Sequence, residues 1–237
     1  MPNDAADGPR WVELAPDRLV GWLDSFSRRH GDVAVEPGPE TVVFRAADGS
    51  VAECHVPFPP LAGAAAAAGP GSGQAASGGP MATAAERICA HARADRTVGV
   101  LLVRLGGYAV GVFTGPDAQL AASKVGSRLV HGRSAAGGTS QHRFARRREK
   151  QAREALGAAA DTAAAVFTPY TGQLDAVVLG GDRRAIARLR NDPRLRPYFD
   201  LAVDRFLSVP DPRLAVLRGT PKLFRAIRIR LTEPTAA

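Results

Sequence analysis

The run Val98-Gly-Val-Leu-Leu-Val103 contains no polar side chain and is too short to be a core helix. Bounded by Arg104 and by Gly106-Gly107, it reads as a strand buried on both faces. Tyr108-Ala-Val-Gly-Val-Phe113 follows as the return strand of a hairpin, and Lys124-Val-Gly-Ser-Arg-Leu-Val130 as a third strand. A long helix is expected over about 143–165. A second buried run, Asp175-Ala-Val-Val-Leu179, is closed by Gly180-Gly181 and followed by a helix over 183–190 that stops at Pro193. Leu201–Leu207 reads either as a strand or as a helix start. Ile227-Arg-Ile-Arg-Leu231 reads either as an edge strand or as the end of a helix. A hairpin, a third strand and then alternating helix and strand define an α/β fold with a mixed sheet.

Ahead of this lies a smaller α+β part. Asp17 is placed to cap a helix ending at His30, with Leu19, Trp22, Leu23 and Phe26 on one face and Gly31 as its stop. Thr41–Arg45 and Val51–Val56 flank Asp48-Gly49 as a hairpin. Residues 61–80 are uncharged and rich in Ala and Gly, the composition of a flexible linker or long mobile loop. Thr83 is placed to cap a helix running to about Ala94. The expected organisation is therefore an N-terminal helix-plus-hairpin part over 1–60, a linker over 61–82 and a larger domain over 83–237. About 60 residues make a marginal domain alone, so the N-terminal part is expected to pack on the rest or complete its sheet.

With 45% hydrophobic and 23% charged residues, the chain of 237 residues has an ordinary globular balance. Nothing approaches the ~18 consecutive apolar residues of a membrane span. The acidic N-terminus is unlike a secretory signal, and a cytoplasmic location is expected. Cys54 and Cys89 lack partners at zinc spacing and are expected to be reduced thiols. The net charge is +8 and the pI about 10.4. That excess is local. Arg128, Arg133, Arg143, Arg146, Arg147, Arg148, Lys150 and Arg153 face a single acid, Glu149, within one window. A solvated surface normally mixes both signs; contact with nucleic-acid phosphates explains an unmixed patch.

Immediately before the basic helix stands Ser134-Ala-Ala-Gly-Gly-Thr-Ser-Gln-His142. Small residues let a backbone approach another surface closely. Ser140 is also placed to act as the N-cap of the helix. The run Gly137-Gly138-Thr139-Ser140-Gln141, after a strand and before a basic helix carrying Phe144, resembles the Gly-Gly-Gln catalytic loop of eukaryotic and archaeal class-1 peptide chain release factors. It is closer still to the Vms-like release factor family, in which serine precedes the glutamine. The stretch through Glu149 is similar to the bacterial, actinobacterial-type branch of that family. The resemblance spans about residues 96–232 in element order, and only 137–149 in residue terms.

The resemblance implies a release-factor catalytic domain of ribonuclease-H-like strand order and a peptidyl-tRNA hydrolase that frees nascent chains from stalled ribosomes or large subunits. Gln141 would be the catalytic residue, orienting water on the ester. Gly137, Gly138, Thr139 and Ser140 would shape the catalytic loop. Arg128, Arg133, His142, Arg143, Arg146, Arg147, Arg148 and Lys150 would contact RNA. The implied partners are the large ribosomal subunit, ribosomal RNA and peptidyl-tRNA, for a monomer that needs neither metal nor cofactor. The rival reading is a non-catalytic ribosome- or tRNA-binding factor that uses the same helix.

Two other chemistries fit less well. A metal nuclease on this strand order needs a carboxylate on the first strand, where Arg104 stands. Asp117, Asp175 and Asp182 read as turn and cap residues. A serine hydrolase elbow needs Gly-x-Ser-x-Gly, and His142 occupies the last glycine position.

Overall fold

The computed structural model describes residues 9–61, 79–104, 107–127 and 140–234, with side chains for all of these but 140–148. The chain divides into two compact units, one formed by residues 1–94 with 225–237 and the other by residues 95–224.

The first unit is an antiparallel sheet of five strands: β1 (Arg10–Leu14), β2 (Val33–Glu36), β3 (Thr41–Ala46), β4 (Val51–His55) and β10 (Ile227–Thr232). Their spatial order is β1-β10-β4-β3-β2. Helices α1 (Leu19–His30) and α2 (Pro80–Arg93) share a single core with it. Leu19, Leu23 and Phe26 of α1 and Ala85, Ile88 and Cys89 of α2 pack with Val42, Phe44, Ala52, Cys54, Ile227, Ile229 and Leu231. The hairpin expected around Asp48-Gly49 is present as the β3–β4 pair. Gly49 takes φ +89°, and the Asp48 carboxylate accepts the Ser50 N–H at 2.8 Å.

Several expectations are corrected here. Asp17 does not cap α1. Pro16 opens a 3-10 turn over Pro16–Arg18, and α1 starts at Leu19 without a side-chain cap. A proline's fixed φ suits the first position of such a turn and shifts the α-helix start. Likewise α2 begins at Pro80, ahead of Thr83. Ile227–Leu231 is neither an edge strand nor a helix end; as β10 it lies between β1 and β4. Its apolar residues enter the core. Arg228 and Arg230, on the other face, meet Glu13 at 3.4 Å and Glu53 at 3.3 Å across the neighbouring strands. The expected boundaries shift accordingly, because α2 and β10 belong with the N-terminal sheet whose core they fill. Leu61 is buried, and its N–H reaches the Pro39 carbonyl at 2.7 Å. The rest of the expected linker, up to residue 78, lies outside the described residues.

The second unit holds β5 (Val98–Arg104), β6 (Gly107–Thr114), β7 (Gln119–Ser127), β8 (Ala176–Gly181) and β9 (Ala202–Leu207) in the order β7-β6-β5-β8-β9. The first three form an antiparallel meander, and β8 and β9 run parallel to β5. This is a mixed sheet of ribonuclease-H-like order. Helix α3 (Ser140–Phe167), the short helix α4 (Arg183–Leu189) and α5 (Arg196–Asp200) cover one face. Helix α6 (Leu214–Phe224) covers the other, with Phe224 edge-on to Phe113 at 5.8 Å between ring centroids. Burial on both faces is why β5 and β8 read as unbroken apolar runs.

Asp182 caps α4 by accepting the Arg184 N–H at 2.8 Å, and Asp175 accepts the Thr97 N–H at 2.7 Å. The turn from β8 into α4 requires Gly181, which takes φ +98° where a Cβ would collide with the Val103 carbonyl. Gly181→Ala is expected to lower the unfolding free energy by about 1–3 kcal/mol, read by denaturant melting.

Candidate functional site

Helix α3 is 28 residues long, about 42 Å at 1.5 Å per residue. Among its residues with described side chains, 149–167, the buried ones are Ala155, Ala159, Ala160, Thr162, Ala163 and Phe167. Phe167 packs beside Gly99 at the start of β5, and Thr162 Oγ1 donates to the Tyr108 hydroxyl at 3.3 Å near the other end. The helix therefore runs antiparallel to β5. The described residues ahead of Ala155, 149–154, are exposed or half-buried, and α3 continues N-terminally to Ser140. Strand β7 finishes at the end of the sheet where β5 stops, since Ser127 pairs with Gly107. The Tyr108 ring lies so close over Gly126 that a Cβ there would collide with it, fixing the last residues of β7. Residues 140–154 thus form a helical arm ahead of the buried half of α3.

Ser140 and Gln141 are the first two residues of α3. The helix starts ahead of the expected 143, and Ser140 is itself helical rather than the residue before the helix. The first N–H groups of a helix have no intrahelical acceptor and carry the positive end of its dipole. The Gln141 N–H belongs to that set. His142, Arg143, Phe144, Arg146, Arg147 and Arg148 follow along the arm; their side chains are outside the described structure. By the period of the helix, Lys150 and Arg153 share one face, opposite the buried stripe. Lys150 and Arg153 are exposed, with Glu154 at 4.0 Å and Glu149 at 3.9 Å as their i,i+4 partners. Such exposed pairs are weak and leave both cations available. Arg128, Arg133, Gly137, Gly138 and Thr139 lie outside the described residues.

The buried half of α3 is tied down from the side. Arg194 reaches Asp161 on α3 at 2.8 Å and Asp192 at 2.7 Å. The hydrogen-bonded Arg194 guanidinium holds the Asp192 carboxyl below the usual carboxylate range, and its own pKa rises in return.

Among the described residues no group of three or more His, Cys, Asp or Glu is arranged to hold a metal ion. Arg104, at the end of the first strand of this sheet, donates to the Val209 carbonyl at 2.8 Å. Cys54 and Cys89 are free and buried, and burial pushes both thiols up. Among the described residues no helix is long and apolar enough to cross a membrane. Charge separates sharply between the units. The first carries 10 Lys and Arg against 12 Asp and Glu, the second 21 against 11. A second Arg-rich stretch, 183–196, stands outside the candidates drawn from sequence; the Arg spacing that marks it was visible there.

The second unit is thus a mixed sheet of this order whose antiparallel meander is followed by the long helix α3. Residues 96–230 match the family described as Actinobacteria/chloroflexi VLRF1 release factor, and the chain belongs to that family. The membership makes it a release-factor-like protein. No curated protein matches the sequence significantly. Among solved structures it is similar to an archaeal translation termination factor, aRF1, at 14% identity over 54% of this chain and 36% of that one, with a TM-score of 0.41. The chain thus spans about a third of that factor's length. It is similar to the Vms1 mitochondrial localization core at 11% identity, over 79% of this chain and 75% of that one, with a TM-score of 0.33. Pelota of Archaeoglobus fulgidus shows 12% identity over 94% of this chain and 66% of that one, with a TM-score of 0.30.

Proposed function

We propose that this protein hydrolyses peptidyl-tRNA on stalled ribosomes or large subunits, with Gln141 positioning the attacking water. The observation that supports the reading is the run Gly137-Gly138-Thr139-Ser140-Gln141 directly ahead of a basic segment in the sequence. Ser140 and Gln141 open α3, and the chain belongs to the release factor family. In the reaction, the water oxygen bonds to the carbonyl carbon of the ester. The bond from that carbon to the ribose oxygen of the tRNA then breaks, and the ribose oxygen leaves with a proton. A glutamine amide has no useful basicity, so its role is to orient the water by hydrogen bonding. The backbone N–H at the helix start, with the dipole behind it, stabilises charge developing on the carbonyl oxygen. The step needs no metal. Gly137 and Gly138 let the backbone approach without Cβ obstruction. Arg128, Arg133, His142, Arg143, Arg146, Arg147, Arg148 and Lys150 contact phosphates of the large subunit RNA and the tRNA.

The test is incubation of purified protein with large subunits carrying a labelled nascent chain on tRNA, scored for cleavage of the ester on a gel. Wild type should release the chain. Arg146→Glu/Arg147→Glu/Arg148→Glu should lose binding, and release with it, since three phosphate contacts become repulsive. Binding without release by the wild-type protein would instead identify a non-catalytic ribosome- or tRNA-binding factor.

A further inference from the structure

Six arginines, Arg183, Arg184, Arg188, Arg190, Arg194 and Arg196, stand in the stretch 183–196 against one acid, Asp192. Every one of them is exposed. Arg194 is used internally, bound to Asp192 and Asp161. The nearby Asp182 carboxylate is occupied by the Arg184 backbone N–H. Among the described residues none of the other five arginines forms an ion pair. Surface arginines are ordinarily balanced by neighbouring carboxylates, so five unbalanced ones mark a surface kept for an anion.

Two of these side chains are also held in place. The Arg183 guanidinium lies over the Phe206 ring at 4.2 Å, and that of Arg190 over the Phe199 ring at 4.8 Å. A guanidinium resting on an aromatic face keeps its N–H groups directed around its rim, and pre-ordering lowers the entropy lost when a phosphate is bound. Arg184 and Arg188 are one helical turn apart on α4, on the side opposite the buried Ile186 and Leu189. Location adds the third argument. α4 packs on the same sheet face as α3. It begins just after Gly181, which pairs with Val103 at the C-terminal end of β5.

We infer that the α4–α5 surface, through Arg183, Arg184, Arg188, Arg190 and Arg196, is a second RNA-backbone binding site, separate from the basic arm. It takes the phosphates of structured RNA and reads no sequence, because guanidinium-to-phosphate contacts carry none. The inference shares the RNA partner of the proposed function and does not depend on hydrolysis.

The experiment measures binding of the full-length protein to a fluorescein-labelled RNA hairpin by anisotropy across a salt series. Arg184→Ala/Arg188→Ala should weaken binding about tenfold near 0.15 M salt and reduce the log–log salt slope by about 2, one for each phosphate contact. Alanine keeps the helix, and circular dichroism checks it. Arg218→Ala/Lys222→Ala removes the same charge from α6 on the opposite sheet face and should stay within about twofold of wild type. Equal loss in the two variants would reduce the effect to net charge and overturn the site, as would no loss in the first. Displacement of the hairpin by phosphatidylserine vesicles, dependent on Arg184 and Arg188, would also overturn it in favour of a membrane surface. A wild type that binds the hairpin through these residues and releases no peptide supports the site while defeating the hydrolase reading.

Discussion

Gln141→Ala should cut peptide release by about 10²–10³-fold while leaving affinity for the large subunit within about twofold, the magnitude typical of removing one positioned hydrogen-bonding group from a hydrolytic centre. Gln141 is the second residue of α3, so alanine, the best helix former, retains the arm. The backbone N–H also survives the substitution, which is why a residual rate is expected rather than none. Phosphate contacts by the arm are untouched, so binding and chemistry separate. The measurement is single-turnover release from large subunits carrying peptidyl-tRNA, beside a binding assay on the same particles. Equal release by both proteins would mean that the ester is hydrolysed but that another group orients the water. A parallel fall in binding would assign Gln141 to RNA contact instead.

Ending the chain after Phe224 should unfold the first unit and spare the second. β10 stands between β1 and β4, so its loss leaves β1 without a strand partner and β4 with an open edge. It also removes Ile227, Ile229 and Leu231, all almost fully buried. Truncating one such side chain to alanine costs about 2–5 kcal/mol. Losing three approaches the whole stability of a small domain, about 5–15 kcal/mol. The second unit keeps every strand of its own sheet and both covering layers. Hydrogen exchange by mass spectrometry should show residues 10–93 unprotected, with β5, β6 and β8 protected as in the full chain. Retained protection over 10–56 would show that β10 is dispensable, against the sheet order described above.

The elements legible in the sequence were those whose signal is local. β5 and β8 are apolar runs closed by glycines, and the β3–β4 hairpin carries Asp48-Gly49 at its turn. The length of α3 was close to expectation because its C-terminal half repeats small apolar residues at helical spacing. β1 and β2 escaped notice. They are short edge strands, half-buried, and their sequences Arg-Trp-Val-Glu-Leu and Val-Ala-Val-Glu acquire meaning only beside a partner. The site divides the same way. The glycines, the glutamine and the cation run could be picked out by residue type and spacing, whereas α4 read as an ordinary helix. The arginines of 183–196 gained significance only once five were seen without an ion pair, with Arg183 resting on Phe206 and Arg190 on Phe199, both from later segments.

From the sequence alone came the α/β class and the meander of the second unit, because each depends on side-chain patterning over a few neighbouring residues. Tertiary structure decided which sheet owns α2 and β10. An alternating strand such as Ile-Arg-Ile-Arg-Leu suits an edge or an interior position equally well until its neighbours are known. It also decided that Gln141 lies within the first turn of α3, a boundary that side-chain patterning fixes only to within a few residues.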